Sequence, residues 1–291
     1  MKKLIALLLA ALMVLSMAAC ASKTPTTTTE TASDAAQTPA DEQTSADEQT
    51  PAADEAESDL AYIQSKGTLV IGITDFEPMD YKNESGEWIG FDADMAKAFA
   101  ESLGVTAEFV EIDWDNKILE LGSKTIDCVW NGMTLTAEVT SSMECSNAYC
   151  NNAQVVIVPA DKAADYQDVE SCKDLTFAAE AGSAGEEELN ALGYTVTPVK
   201  AQSDALMEVA AGTSDAAVID SLMAAAMVGE GTGYANLTYT CGLNAEEYGV
   251  GFRKGSDLAQ KLNDFFKTSY DDGSMLQIAE TYGVQAALIA Q

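Results

Sequence analysis

Apolar residues in this chain alternate between two patterns: short β-branched runs, and longer stretches where they recur every three or four positions. Thr68 to Ile73 reads Thr-Leu-Val-Ile-Gly-Ile and predicts a buried strand. Met95, Phe99 and Leu103 fall on one face of a helix that starts at Asp92 and is closed by Gly104. A second strand, Ala107 to Ile112, leads into Asp113-Trp114-Asp115-Asn116, which caps a helix to Leu121. The third strand, Ile126 to Trp130, ends in Asn131-Gly132-Met133-Thr134, with Thr136 as the N-cap of the next helix. This βαβαβα order predicts a doubly wound parallel sheet, in which ligands sit at the carboxyl ends of the strands.

The same alternation begins again at Gln154–Val158. Strands at Leu175–Ala179, Tyr194–Val199 and Ala216–Ile219 are interleaved with helices ending at Leu192, Ala211 and Val228. Tyr248 to Arg253 is strand-like, and the tail is amphipathic helix over Asp257–Tyr270 and Ser274–Tyr282, broken at Asp272-Gly273. Two αβ series with a helical tail predict an α/β molecule of two lobes, each an open sheet flanked by helices, with a cleft between them.

The N-terminal end departs from both patterns. Lys2 and Lys3 precede an apolar run from Leu4 to Leu15, then Ser16-Met17-Ala18-Ala19-Cys20, the layout of a secretory signal. Small residues ending on a cysteine resemble a bacterial lipobox, which implies cleavage before Cys20 and a lipid there that anchors the chain to the outer face of a membrane. Residues 21–59 are rich in Thr, Ala, Pro, Gln and acids, with Thr38-Pro39-Ala40-Asp41-Glu42-Gln43 echoed by Thr44-Ser45-Ala46-Asp47-Glu48-Gln49. Such a segment buries too little to order itself and reads as a disordered acidic linker.

Composition narrows the chemistry. Residues 60–291 carry twelve basic against thirty-seven acidic residues, within a net charge of −32 for the whole chain. This disfavours nucleic acid and anionic lipid as partners. The chain has no histidine, and Arg253 is its sole arginine. Ser-His-Asp and Cys-His catalysis and His-ligated metals are therefore excluded, and no cysteine spacing suggests zinc; no cofactor is expected. Besides Cys20 there are five cysteines, at 128, 145, 150, 172 and 241. Cys128 reads as a core residue, Cys145 and Cys150 flank a loop and could pair, and an odd number leaves at least one thiol unpaired.

With these pieces in order, the stretch from about Leu69 to Tyr282 resembles the extracellular solute-binding proteins of ABC importers, in particular the polar amino-acid binding family 3. The segments that carry the resemblance include Val70-Ile71-Gly72-Ile73-Thr74-Asp75, Gly90 to Ala98, Asp127 to Thr136, Gly182-Ser183, Asp215 to Asp220, and Tyr248 to Gly255. The resemblance implies a type II periplasmic-binding-protein fold with hinges near Val155 and Val250. Lobe I is then residues 60–154 and 249–291, and lobe II residues 155–248. It implies a lipid-anchored monomer that captures an amino acid or amine-bearing solute and delivers it to a membrane permease and its ATPase. It also implies a pocket: Phe76 stacking on the ligand with Asp75 beside it, Trp114 and Trp130 as walls, Asn131, Gly132 and Thr134 as polar contacts, Ser183 at a helix start, and Asp220 for the ligand's ammonium. Asp220 has a competing reading as a helix cap, and the two tryptophans one as core aromatics. Asp92 and Asp94 read as cap and surface.

One position departs from the family. Where an arginine normally pairs with the ligand's carboxylate this chain has Val139, and Ala184 replaces the threonine beside the second-lobe Gly-Ser. Arg253 lies in the hinge-strand motif and reads as a surface residue. A charge-assisted hydrogen bond contributes about 1.5–3 kcal/mol, so the loss is large for a free amino acid. Backbone N–H groups after Gly182 could hold an anion, but Ser183 and Glu186 fit a capping box that occupies them. Either a lysine or backbone donors replace the arginine, or the ligand is an amine or short peptide. A ligand sensor without a transport role is the alternative from another class. An enzyme would have to rely on Asp75, Glu77 or Asp220.

Overall fold

The computed structural model describes residues 58–291; the expected signal, Cys20 and the linker up to residue 57 lie outside them. The linker was expected to reach residue 59, but the fold already starts at Ser58. Its hydroxyl accepts from the Ala61 N–H and caps α1 (Asp59–Lys66). The chain continues through β1 (Thr68–Ile73), the two-residue strands β2 (Tyr81–Lys82) and β3 (Trp88–Ile89), α2 (Phe91–Ser102), β4 (Thr106–Glu111), α3 (Lys117–Gly122), β5 (Cys128–Thr134), α4 (Ala137–Ser142), β6 (Glu144–Cys145) and β7 (Cys150–Asn152). A second series follows: β8 (Gln154–Pro159), β9 (Thr176–Glu180), α5 (Ala184–Leu192), β10 (Thr195–Val199), α6 (Gln202–Ala211), β11 (Ala216–Asp220), α7 (Ser221–Met227) and β12 (Leu237–Gly242). It closes with β13 (Glu246–Phe252), α8 (Leu258–Asp271) and α9 (Ser274–Tyr282).

Each series builds its own sheet. The first has the order β4-β1-β5-β13-β6, with β7 also pairing β13; the second has the order β10-β9-β11-β8-β12. In both, three parallel strands give way to one antiparallel strand, β13 against β5 and β8 against β11. Those antiparallel strands are where the chain changes lobe. Only Ala153 separates β7 in the first sheet from β8 in the second, and β12 returns to β13 through residues 243–245. The two passages run side by side, with Glu246 opposite Asn152 and Gly242 opposite Val155.

Burial on both faces explains the continuous apolar runs of the central strands. Along β8 and β11, Val156, Val158, Ala216 and Val218 face one apolar cluster, while Val155, Ile157, Ala217 and Ile219 face the other. The first sheet is closed by α2, α8 and α9, with Trp130 packed against Phe99 and Phe266. Among the described residues no helix is long and apolar enough to cross a membrane.

Two charged residues sit elsewhere than the sequence suggested. Arg253 is not on the surface: its guanidinium forks onto Asp59 at 2.8 and 3.0 Å, reaches Asp127 at 3.3 Å and donates to the Ile126 carbonyl at 2.9 Å. It locks α1 to the start of β5 and the end of β13, and the Asp59 and Asp127 bonds hold it charged. Asp92 is not a cap, since α2 begins after Gly90; it is fully buried beneath β5.

Candidate functional site

The carboxyl ends of β5, β9 and β11 converge on a cleft with about 470 Å³ of free space, counting its mouth. Its first-lobe wall includes Trp114, Lys117, Asn131, Gly132, Thr134 and Val139; its second-lobe wall includes Glu180, Gly182, Ser183, Gln202 and Asp220, with Gln154 at the crossover. Six of the expected residues therefore share one hollow: Trp114, Asn131, Gly132, Thr134, Ser183 and Asp220.

Three others do not. Phe76 is 1% exposed and lies beneath the cleft, its ring edge-on to Tyr248 with centroids 6.3 Å apart. Trp130 is equally buried, because β5 points alternate side chains away from the cleft into the aromatic core. Asp75 is exposed in a separate depression beside Lys200, Ser203 and Asp204. Burial, with Glu111 nearby, raises its carboxyl above the ordinary range.

The polar groups at the end of β5 are occupied by the protein itself. The Asn131 amide accepts from the Thr74 N–H at 3.0 Å and the Thr74 hydroxyl at 2.9 Å. It donates to the Thr74 carbonyl at 3.0 Å and to Asp80 at 2.8 Å. That side chain fastens the loop after β1 to β5 and has nothing left to offer a ligand. Gly132 donates its N–H to Asp92 at 2.6 Å, and Tyr149 donates to the same carboxylate oxygen at 2.7 Å. With φ at +54° and Phe76 only 2.5 Å from where a Cβ would stand, this position requires glycine. The Thr134 hydroxyl donates to Glu246 at 2.9 Å.

At the second-lobe wall, Asp220 accepts from Asn152, from Gln154 at 3.0 Å, from Tyr248 at 2.8 Å and from Gln202. It stands at the N-cap position of α7, but its side chain makes no capping bond to that helix. Burial, with Glu246 beside it, pushes its carboxyl up to about 8. Ser183 accepts from the Glu186 N–H at 3.1 Å, and the Glu186 carboxylate accepts from Gly182 at 2.7 Å. These bonds take up the N–H groups of Gly182 and Glu186 but not those of Ala184 and Gly185, which open α5.

Two cleft residues were not expected from the sequence. Lys117 opens α3 and shares its inward face with Leu121, four residues on. Its ammonium lies over the Trp114 ring at 4.9 Å, and donates to the Trp114 carbonyl at 3.2 Å and across the cleft to the Gly182 carbonyl at 2.8 Å. Burial lowers its pKa, opposed by Glu138, Glu180, Asp115 and Glu187. A lysine in an apolar helical register was the available signal. Glu180 ends β9, and its carboxyl is 2% exposed with one oxygen, Oε1, lacking any hydrogen-bond partner. Burial pushes it up to about 8. Its signal was an acid at the carboxyl end of an otherwise apolar strand, two residues before a turn glycine. Among the described residues no group of three or more Cys, Asp or Glu side chains is placed to hold a metal ion.

The cleft thus holds one cation against several acids, with an unpaired buried oxygen facing it. Residues 69–285 match the sequence profile of the bacterial extracellular solute-binding proteins, family 3. The arginine-binding extracellular protein ArtP of Bacillus subtilis (strain 168) is 29% identical over 227 residues, which cover 75% of this chain and 86% of the relative. The crystal structure of a P235GK mutant of ArgBP from T. maritima superposes with a TM-score of 0.72 at 30% identity, covering 77% of this chain and 98% of that one. An ABC uptake transporter substrate binding protein from Streptococcus pneumoniae with bound histidine gives a TM-score of 0.72 at 29% identity, covering 79% and 98%. The two sheets, the paired crossovers and a family match across nearly the whole described fold agree: this chain is a bacterial extracellular solute-binding protein of family 3.

Proposed function

We propose that this protein is the solute-capturing component of an ABC importer and that its solute is a cationic amino acid, such as arginine or lysine. The observation that carries the reading is the presence of buried Lys117 and buried Glu180, with its unpartnered oxygen, in one cleft beside Asp220. Lys117 takes the role left open at Val139 and meets the ligand's carboxylate, either with the N–H not spent on protein carbonyls or by exchanging one of those bonds. The unpaired oxygen of Glu180 accepts from a ligand N–H, and Asp220, ionising as a positive group arrives, adds negative potential around it. Glu138 and Glu187, also lining the cleft, shift the balance further toward a positive ligand. A neutral amino acid would satisfy Lys117 and leave the surplus of acid uncompensated. Arginine in the name of the Bacillus subtilis relative points the same way.

The solute is bound and released unchanged, a reading supported by the relatives being named as binding proteins. The chain is held outside the cell by lipid on Cys20, acts as a monomer, and presents its closed form to a permease. Calorimetric titration of the purified protein with arginine, lysine, histidine, glutamine and glutamate tests the reading. Arginine or lysine should bind most tightly and glutamate not measurably. Tighter binding of glutamate or glutamine would overturn the cationic assignment, and a bound solute recovered chemically altered would overturn pure binding.

A further inference from the structure

Among the described cysteines, Cys128 and Cys150 are buried in the first sheet, and Cys145 lies beside them on β6. Cys145 and Cys150, which flank a loop in sequence, face β13 at Gly251 and Tyr248. Three strand residues apart is roughly 10 Å, beyond the reach of a disulfide. The second lobe differs. Cys172 ends a single 3₁₀ turn, Glu170–Cys172, and is wholly buried in the apolar cluster under β8, β9 and β11. Cys241, half-buried, packs against that same cluster from β12, the edge strand of the sheet. The register of β12 against β8 shifts between Tyr239 and Gly242, so Cys241 sits in the irregular step where a side chain can be re-aimed. The two thiols thus pack on one cluster, close enough that Cys241 adds to burial in raising the Cys172 thiol, which donates to the Asp168 carbonyl at 3.3 Å.

We infer that Cys172 and Cys241 form a disulfide in the exported protein, closing a loop that contains both Glu180 and Asp220. Extracytoplasmic proteins meet thiol–disulfide oxidoreductases, and juxtaposed thiols in such proteins are their substrates. Cys241, the more accessible thiol, attacks one sulfur of the oxidoreductase's disulfide as its thiolate, giving a mixed disulfide and a free oxidoreductase thiolate. Cys172 then loses its proton and attacks the Cys241 sulfur, expelling the second oxidoreductase thiolate. One disulfide forms, one is reduced, and two protons pass to the departing thiolates. The bridge ties the turn before β9 to the last strand before the return crossover, so the second lobe moves as one body about its hinges. It touches neither wall of the cleft and leaves ligand affinity unchanged.

The test is to export the full chain, equilibrate it with oxidised glutathione, alkylate it in denaturant without reductant, and map its peptides by mass spectrometry. The expected result is a linked pair containing Cys172 and Cys241, with Cys128, Cys145 and Cys150 alkylated. Alkylation of all five, or linkage of any other pair, overturns the inference. In parallel, dithiothreitol should lower the melting temperature by roughly 5–10 °C. The double variant Cys172→Ser, Cys241→Ser should melt at the same temperature with or without it. A melting temperature equally insensitive in the native sequence would also refute the bridge.

Discussion

At pH 7 the Glu180 carboxyl, pushed up to about 8 by burial, keeps its proton while the cleft is empty, and so does much of Asp220, pushed to about 8 by burial with Glu246 beside it. A cationic ligand favours the ionised forms, so its binding must expel protons from this cluster. Titrations at pH 7 in buffers of differing ionisation enthalpy should show release of on the order of one proton per ligand, falling toward zero above about pH 9. Glu180→Gln should reduce the release. Proton uptake, or none at pH 7, would contradict a positive ligand beside these acids. The sign for stability follows from the same shifts. Raised carboxyls contribute fully below the ordinary carboxylate range and lose that contribution as pH climbs through 8. The ligand-free melting temperature should therefore fall across that window, less steeply in Glu180→Gln.

Aromatic identity alone did not separate wall from core. Phe76, expected to stack on the ligand, and Trp130, expected to wall the site, are both buried; the strand alternation that turns Asn131 toward the cleft turns Trp130 away. Asn131 lines the hollow as expected, yet its amide is consumed in holding Thr74 and Asp80, which is visible only once the loop after β1 is placed. Lys117 and Glu180 do not stand out in the sequence, because a charge in a short helix or at a strand end is usually solvated, and their burial depends on the opposite lobe closing over them.

At the level of elements, the strands were legible because parallel strands buried on both faces cannot carry polar interruptions, and the helices because their apolar residues repeat every three to four positions. The anchoring of the first helix was not legible. It depends on Arg253 meeting Asp59 and Asp127, partners almost 200 and more than 120 residues away in sequence. Removing one side of such a nearly buried pair leaves the other uncompensated, so Arg253→Ala should cost about 3 kcal/mol of unfolding free energy. Urea titration measures it, and a loss below about 1 kcal/mol would show that Lys66, which also pairs with Asp127, suffices. The end of β5 has a different sensitivity. A methyl at Gly132 meets Phe76 in a left-handed backbone conformation, so Gly132→Ala should destabilise the fold by about 2–4 kcal/mol. Unchanged stability would mean that the strand end yields without strain.

For the whole molecule, closure is carried by few contacts. Lys117 reaches the Gly182 carbonyl, and Lys200 approaches Asp113 at 3.8 Å. Where the lobes approach, a Cβ on Gly182 would stand 2.6 Å from the Asp115 Cα, so this turn admits only glycine in the closed form. A ligand that bonds both walls shifts the open–closed balance by its preference for the closed form and by no more than that. Small-angle scattering should show a smaller radius of gyration with saturating arginine than without it, and an unchanged radius would remove the hinge from the account. The central claim is that Lys117 holds the ligand's carboxylate while acids hold its positive end. Binding of arginine and of agmatine, its decarboxylated form, to the native protein and to Lys117→Met tests it most directly. The account predicts that the substitution weakens arginine by roughly ten- to a hundredfold and leaves agmatine unweakened; equal losses for both ligands would contradict it.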